Sequence, residues 1–385
     1  MKVGIVGAGP AGALCASNLC GSGWQVQLFD FHGPWEKPCG GGVTAKALAR
    51  YPFLMECLES QRQIRSMKVI SPKRAQVEVS LEEPIAIYSR TVLNELLLKR
   101  AVARGAQFCQ ERVLDFRRRL SSWELKTDQA NHSVDYLVGA DGVNSLVRKK
   151  LSTRFPAEDL MMTFGYRAPQ DLGDRIEIRF FPQFLGYAWT FPRPDHVSFG
   201  ICARLSQHSM AELKVCLHRF LEDNGYISRV SETQDWPVYS ALIPSLRPQS
   251  LRDNAICGEG WALLGDAAGF ADPITCEGIF FALRSGELLA EALLQQEESM
   301  YRAWCHDEFS ADFVHAAQLF ERFYTGRFLG SDFITRMVQT TARSRVLQKI
   351  MNSFVAGKLD YRSLRPKLVR QAPAILWQIL GSSFA

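Results

Sequence analysis

The chain has 385 residues, more than one compact core usually holds, so two domains are the default expectation. Apolar residues make up 47% and charged residues 22%, the balance of an ordinary globular protein, which excludes pervasive disorder. A formal net charge of +5 is too small to argue for nucleic-acid binding by the chain as a whole.

Ten cysteines are scattered with no Cys-x-x-Cys pair, and only seven histidines accompany them. That pattern excludes a disulfide framework and a zinc site, so no metal is expected, and reduced thiols imply a cytoplasmic compartment. Lys2 precedes an apolar stretch, but Gly4, Gly7, Gly9, Pro10 and Gly12 interrupt it and no small-residue cleavage site follows, unlike a signal peptide. No run of eighteen apolar residues is present to span a bilayer.

In chain order, residues 2–6 read as a short buried strand, 10–20 as an Ala- and Leu-rich helix, and 24–30 as a second strand. This order predicts a right-handed parallel βαβ unit. Residues 91–104 form a helix with Leu93, Leu96, Leu97 and Val102 on its apolar face. Between 160 and 250, short strands at 175–181, 187–191 and 197–202 are separated by Pro and Gly, as in an antiparallel sheet. A strand at 261–264 leads into a helix through about residue 294, and from Tyr301 onward the pattern is mostly helical.

The turn between the first strand and helix carries Gly7-Ala8-Gly9-Pro10-Ala11-Gly12. Gly7 permits a tight turn, Gly9 lets the backbone approach a pyrophosphate, and Gly12 allows close packing of helix on strand. Amides at the helix start then face the phosphates. Asp30 ends the second strand, where a carboxylate can accept hydrogen bonds from a ribose diol. Position between strand and helix makes this a dinucleotide site, without separating NAD from FAD.

Two later segments carry a resemblance. Gly139-Ala140-Asp141-Gly142-Val143-Asn144-Ser145 through Arg148 resembles the Asp-Gly motif of the p-hydroxybenzoate hydroxylase-like flavoproteins. Gly265-Asp266-Ala267-Ala268-Gly269, followed by Asp272-Pro273, resembles their Gly-Asp motif. The resemblance implies FAD, with Asp266 on the ribityl chain, the next helix aimed at the flavin pyrimidine, and Arg90 contacting the cofactor. Each of these residues taken singly also reads as an ordinary turn or surface residue.

Within that superfamily the chain resembles the geranylgeranyl reductases at three places. Pro38-Cys39-Gly40-Gly41-Gly42-Val43 is similar to their glycine-rich segment beside the isoalloxazine, and Tyr187-Ala188-Trp189-Thr190-Phe191-Pro192 to their Tyr-x-Trp-x-Phe-Pro substrate motif. Asp272 to Ile279, which includes Pro273, Glu277, Gly278 and Ile279, is similar to their Asp-Pro-x-Thr-Gly-Glu-Gly-Ile, with Cys276 in place of the middle Gly. On a strand Tyr187, Trp189 and Phe191 share one face, a wall suited to an apolar chain, with ordinary packing of a sheet core as the alternative.

The implied architecture is α/β: a Rossmann-like FAD-binding domain over 1–65, 90–155 and 254–300, an α+β antiparallel-sheet substrate domain over 66–89 and 156–253, and a helical C-terminal region over 301–385. The implied reaction is reduction of carbon–carbon double bonds in an isoprenoid, with Cys39 or a water as proton source. The alternatives are a flavin monooxygenase or halogenase, for which Lys37 or Lys73 would be the tunnel lysine, and a non-catalytic electron carrier. NADPH, a ferredoxin or a quinol stand open as electron donor. Finally, nine basic residues between Arg336 and Arg370 (Arg336, Arg343, Arg345, Lys349, Lys358, Arg362, Arg365, Lys367 and Arg370) are interrupted by one acid, Asp360. Val346, Ile350, Phe354, Val355 and Leu359 lie among them and the run 375–380 follows, which suggests peripheral contact with a membrane.

Overall fold

A computed structural model describes residues 1–381, apart from the side chains of residues 57–59 and 381. The chain divides into two compact units. The first comprises Met1–Lys37, Arg90–Asp159 and Ile243–Val314, and the second Pro38–Ser89, Leu160–Leu242 and the chain from His315 onward.

The first unit is built on a six-stranded sheet in the order Cys257–Gly258, Trp261–Leu263, Tyr136–Gly139, Lys2–Val6, Gln25–Phe29, Gln107–Cys109. All neighbours are parallel except the antiparallel Cys257–Gly258 edge. The central strands Lys2–Val6 and Tyr136–Gly139 are almost wholly buried because both faces are covered. On the Gly4 face an added Cβ would meet Val134 and Leu125 of a three-stranded antiparallel sheet. On the Ile5 face lies the helix Pro10–Leu19, where a Cβ at Gly12 would come within 3.1 Å of Ile5. Helices Arg90–Ala103 and Ile279–Leu294 pack against that first helix. Gly286 makes this possible, since a Cβ there would lie 2.3 Å from the Ala11 carbonyl oxygen.

Two local expectations are corrected. The buried stripe of Arg90–Ala103 is Leu93, Leu97, Leu98 and Ala101, while Val102 is 47% exposed. Steps of three and four from Leu93 and Leu97 reach residue 101, and residue 102 falls off that face. The single helix expected up to residue 294 is broken: Gly265–Ala268 ends in a left-handed Gly269, a turn through Pro273 follows, and Ile279–Leu294 starts afresh.

The second unit holds an eight-stranded sheet in the order Val238–Pro244, Leu160–Ala168, Val197–Arg204, Gly186–Pro192, Arg175–Phe180, Gln61–Ile70, Gln76–Tyr88, Gly42–Val43. It is antiparallel apart from Arg175–Phe180, which pairs parallel with Gln61–Ile70. Helix Met210–Asp223, opened by a Ser209/Glu212 capping box, buries Leu213, Leu217, Phe220 and Leu221 in a core with Ala188, Phe199, Ile201 and Ala203.

Domain boundaries differ from the sequence division. Residues 38–65 belong with the second unit, because Gly42–Val43 and Gln61–Ile70 both pair with Gln76–Tyr88. The C-terminal region is helical but divided: Phe309 and Phe313 lie in the core of the first unit, whereas Phe333–Arg343 and Arg345–Val355 pack on Gln76–Tyr88 in the second. Residues 382–385 lie outside the described residues.

Candidate functional site: a dinucleotide cradle and an aromatic strand

Four motifs of the first unit sit at the carboxyl ends of adjacent parallel strands. Lys2–Val6 runs into Gly7–Gly12, Gln25–Phe29 into Asp30, Tyr136–Gly139 into Asp141-Gly142, and Trp261–Leu263 into Gly265-Asp266. In a parallel sheet the carboxyl edge is where ligands bind, at the point where strand order reverses. Here it reverses at Lys2–Val6, from which the chain fills one side before returning to fill the other.

Gly7 has φ of +107°, and a Cβ there would lie 2.3 Å from the Ala140 carbonyl oxygen, so glycine alone fits. A Cβ at Gly9 would meet nothing within 4 Å, which leaves the open approach a phosphate requires. Pro10 and Ala11 open the helix and are buried. Asp30 Oδ2 accepts the Ala8 amide at 2.9 Å, and Oδ1 accepts the His32 amide at 3.0 Å, fixing the carboxylate against the loop. Beyond Asp30 opens a groove of about 680 Å³, lined by Phe31, Cys109, Gln110, Glu111, Arg112 and Asp128. The Arg112 guanidinium lies 3.6 Å from the Phe31 ring centre. A polar-edged groove next to Asp30 suits a nucleobase. No motif marked it in the sequence, because its residues lie at the ends of three different strands.

At the other end of the edge, Asp266 Oδ2 accepts from Lys37 Nζ at 2.8 Å, and a Cβ at Gly278 would lie 3.3 Å from Asp266 Oδ1. Asp266 therefore stands beside the N-terminus of the sixteen-residue helix Ile279–Leu294. The turn that delivers that helix is tied by Asp272, whose Oδ1 accepts the Ile274 and Thr275 amides at 2.8 Å while its own amide donates to the Glu277 carbonyl. Pro273 presents its carbonyl to Ser245 Oγ at 2.8 Å. Cys276 adopts φ of +59°, a left-handed conformation natural to glycine.

Arg90 is buried at the start of its helix. Glu36 accepts the Arg90 and Thr91 amides at 3.0 Å, and the guanidinium reaches Asn94 Oδ1 at 3.4 Å while its Nε has no partner. Asp141 accepts the Leu146 amide at 2.7 Å through Oδ2, and its Oδ1 is buried with no partner. Burial pushes the Asp141 carboxyl up, outweighing the hydrogen bonds of the 145–147 turn. Arg148 turns away from the cradle, donating to the Ala267 carbonyl and Asn254 Oδ1, and burial lowers it to about 10. It welds the Asp-Gly segment to the Gly-Asp segment. Open space at Gly9, two helix N-termini and two buried polar atoms without partners fit a bound dinucleotide carrying a further polar chain.

The second unit brings Cys39–Gly42 together with the aromatic strand Gly186–Pro192. A Cβ at Gly40 would lie 2.8 Å from the Phe191 ring, and Gly41, at φ +78°, would meet the Tyr88 carbonyl oxygen at 2.3 Å. Arg193 donates to the Cys39 carbonyl, and Cys39 Sγ accepts the Gly41 amide at 3.3 Å. Tyr187, Trp189 and Phe191 form one row, with ring centres 5.8 Å and 6.4 Å apart. Trp189 is buried and its neighbours half-buried. Phe180 extends the row at 6.1 Å from Tyr187 and meets Phe323 at 5.7 Å. Gly200, the cross-strand partner of Trp189, is glycine because a Cβ would lie 2.2 Å from the indole. Lys37 is the ion-pair partner of Asp266, and Lys73 is exposed in the turn of the hairpin Gln61–Ile70/Gln76–Tyr88.

Residues 1–169 match the family described as the FAD binding domain. The geranylgeranyl diphosphate reductase of Synechocystis is 26% identical over 402 residues, covering 96% of this chain and 93% of that protein. The chloroplastic geranylgeranyl diphosphate reductase of rice is 26% identical over 326 residues, of which the match spans 76% of this chain and 66% of the rice protein. Among solved structures, a geranylgeranyl bacteriochlorophyll reductase-like protein of Thermoplasma acidophilum superposes with a TM-score of 0.79 at 19% identity, covering 96% of this chain and 98% of that one. A flavin-dependent brominase superposes at 0.72 with 17% identity over 97% and 100% of the two chains. These structural likenesses speak for the fold. Motifs, cradle and sequence relatives together make the chain an FAD-dependent oxidoreductase with an FAD binding domain over residues 1–169, similar in sequence to the geranylgeranyl diphosphate reductases.

Proposed function

We propose that the protein reduces carbon–carbon double bonds of an isoprenoid substrate. The observation that carries this reading is the row Phe180, Tyr187, Trp189 and Phe191, which runs to the glycine-rich segment at Gly40. Such a row offers a long apolar chain continuous contact and offers a polar substrate little to bind. Relatives named for geranylgeranyl diphosphate support the same class.

FAD, when bound and reduced, would supply the hydride. The chain would hold it through Gly7, Gly9, Pro10, Ala11, Gly12 and Asp30 at the dinucleotide end. Arg90, Asp141, Gly142, Gly265, Asp266, Pro273, Glu277, Gly278 and Ile279 would serve the remainder, and Cys39–Gly42 the ring. The aromatic row orients the alkene and keeps water from it. The Cys39 thiol or a water beside it supplies the proton, and with the thiol as donor Cys39→Ala should lower turnover per bound flavin. A halogenase would need a lysine at the substrate, and Lys37 is engaged by Asp266 while Lys73 is exposed in a hairpin turn.

The test is to incubate the FAD-loaded, dithionite-reduced protein with geranylgeranyl diphosphate and weigh the products. Successive gains of two hydrogens are expected. Incorporation of oxygen or halide under aerobic turnover, with no hydrogenated product, would overturn the reading.

A further inference from the structure

The helix Tyr361–Gly381 is apolar on two faces, and the fold uses one of them. Leu364, Leu368, Ile375 and Ile379 are half-buried, and the helix packs against Phe333–Arg343 and Arg345–Val355. Gln378 Oε1 pins it there, accepting from Ser344 Oγ at 2.7 Å. The opposite face carries Val369, Leu376, Trp377 and Leu380, exposed by 68%, 59%, 78% and 61%. On a helix these four fall within about a third of the circumference. Arg362, Arg365 and Arg370 are exposed with them, and no acidic residue occurs anywhere in the helix.

We propose that this outward face docks on an anionic lipid bilayer. A second apolar face on a helix already packed by its first has to meet another apolar medium. The charge states which one. Arg362 is paired with Asp360 just before the helix, whereas Arg365 and Arg370, exposed on a helix that carries no acid, complement phosphate-rich headgroups, and Trp377 suits the interface between headgroup and acyl chain. No helix among the described residues is long and apolar enough to cross a membrane, so the contact is peripheral. The more upstream candidates contribute little, since Ile350 is buried and Val346, Phe354, Val355 and Leu359 are packed to half exposure or less.

The test uses the full chain with FAD. Wild type should co-sediment with vesicles of phosphatidylcholine and phosphatidylglycerol, stay in solution with phosphatidylcholine alone, and dissociate at high salt. Leu376→Ser/Trp377→Ser/Leu380→Ser should weaken binding at least about tenfold, as should Arg365→Gln/Arg370→Gln. Melting curves should overlay the wild type because the altered side chains face outward. Trp377→Ala alone carries the comparison if the triple variant loses its fold. Wild type that ignores anionic vesicles, or variants that bind them equally well, would overturn the proposal. So would a dimer that the triple variant dissolves in the absence of lipid, which would assign the face to a second copy of the chain.

Discussion

Cys276 and Asp141 each hold an unfavourable state. Cys276 lies at φ +59°, where an L-residue costs roughly 1–2 kcal/mol relative to right-handed backbone. Cys276→Gly should therefore leave the urea midpoint unchanged or raise stability by up to about 1 kcal/mol, because greater freedom in the unfolded chain offsets part of the relief. Cys276→Val, β-branched, should lower it by about 1–2 kcal/mol. If the two variants unfold alike, the left-handed backbone is not what the position demands. Asp141 is a matter of charge. Its folded pKa is raised, so its ionised form costs stability above that value, and the cost is relieved as pH falls through the folded pKa toward the unfolded one. Asp141→Asn keeps an acceptor for the Leu146 amide and removes the titration. Without flavin, the variant should be the more stable protein at about pH 8, and its advantage should shrink toward about pH 4. An advantage that grows on acidification would contradict the sign. Asp266→Ala should lower FAD occupancy, measured by absorbance per protein, since each lost hydrogen bond to a charged group is worth about 1.5–3 kcal/mol.

At the scale of the element, the strand Gly186–Pro192 and its neighbour Val197–Arg204 act as a pair. Trp189 sits over Gly200, so the indole owes its position to a missing side chain across the sheet. Gly200→Ala should force the ring aside and cost about 1–3 kcal/mol of overpacking, seen as a lower melting temperature. Trp189→Ala, by contrast, should weaken retention of a long prenyl ligand in a binding assay while leaving the flavin spectrum intact. A Trp189→Ala protein that binds the ligand normally would reduce the aromatic row to sheet packing.

For the whole molecule, the buried groups without partners in the first unit make cofactor loading a stability question. Asp141 Oδ1 and Arg90 Nε are unsatisfied within the chain. A ligand bound only by the folded state stabilises it by about 2.7 kcal/mol at a hundredfold excess over Kd. Removing FAD should thus lower the melting temperature by several degrees, and adding it back should restore the loss in a concentration-dependent way. Because the second unit has its own core around Phe199, Phe220 and Leu217, hydrogen exchange should show the loss concentrated in the first unit.

The cradle was legible in the sequence because each of its motifs is contiguous and each follows a strand. Gly7 to Gly12 announces a tight turn, and Asp30 ends a short alternating run, so local sterics suffice to read them. Alternation also placed Tyr187, Trp189 and Phe191 on one face. Sequence pattern placed residues 38–65 with the FAD-binding domain, but a strand's partner is chosen by pairing and not by its own pattern: Gly42–Val43 and Gln61–Ile70 are claimed by Gln76–Tyr88 in the second unit. Nor did periodicity join Lys37 to Asp266, 229 residues away, or reveal that Gly200 is the space Trp189 fills. Which apolar face of Tyr361–Gly381 is spent on packing was decided by helices it meets only in the folded chain. Local chemistry determined what each segment could be, and long-range burial decided which of those capacities remained exposed to use.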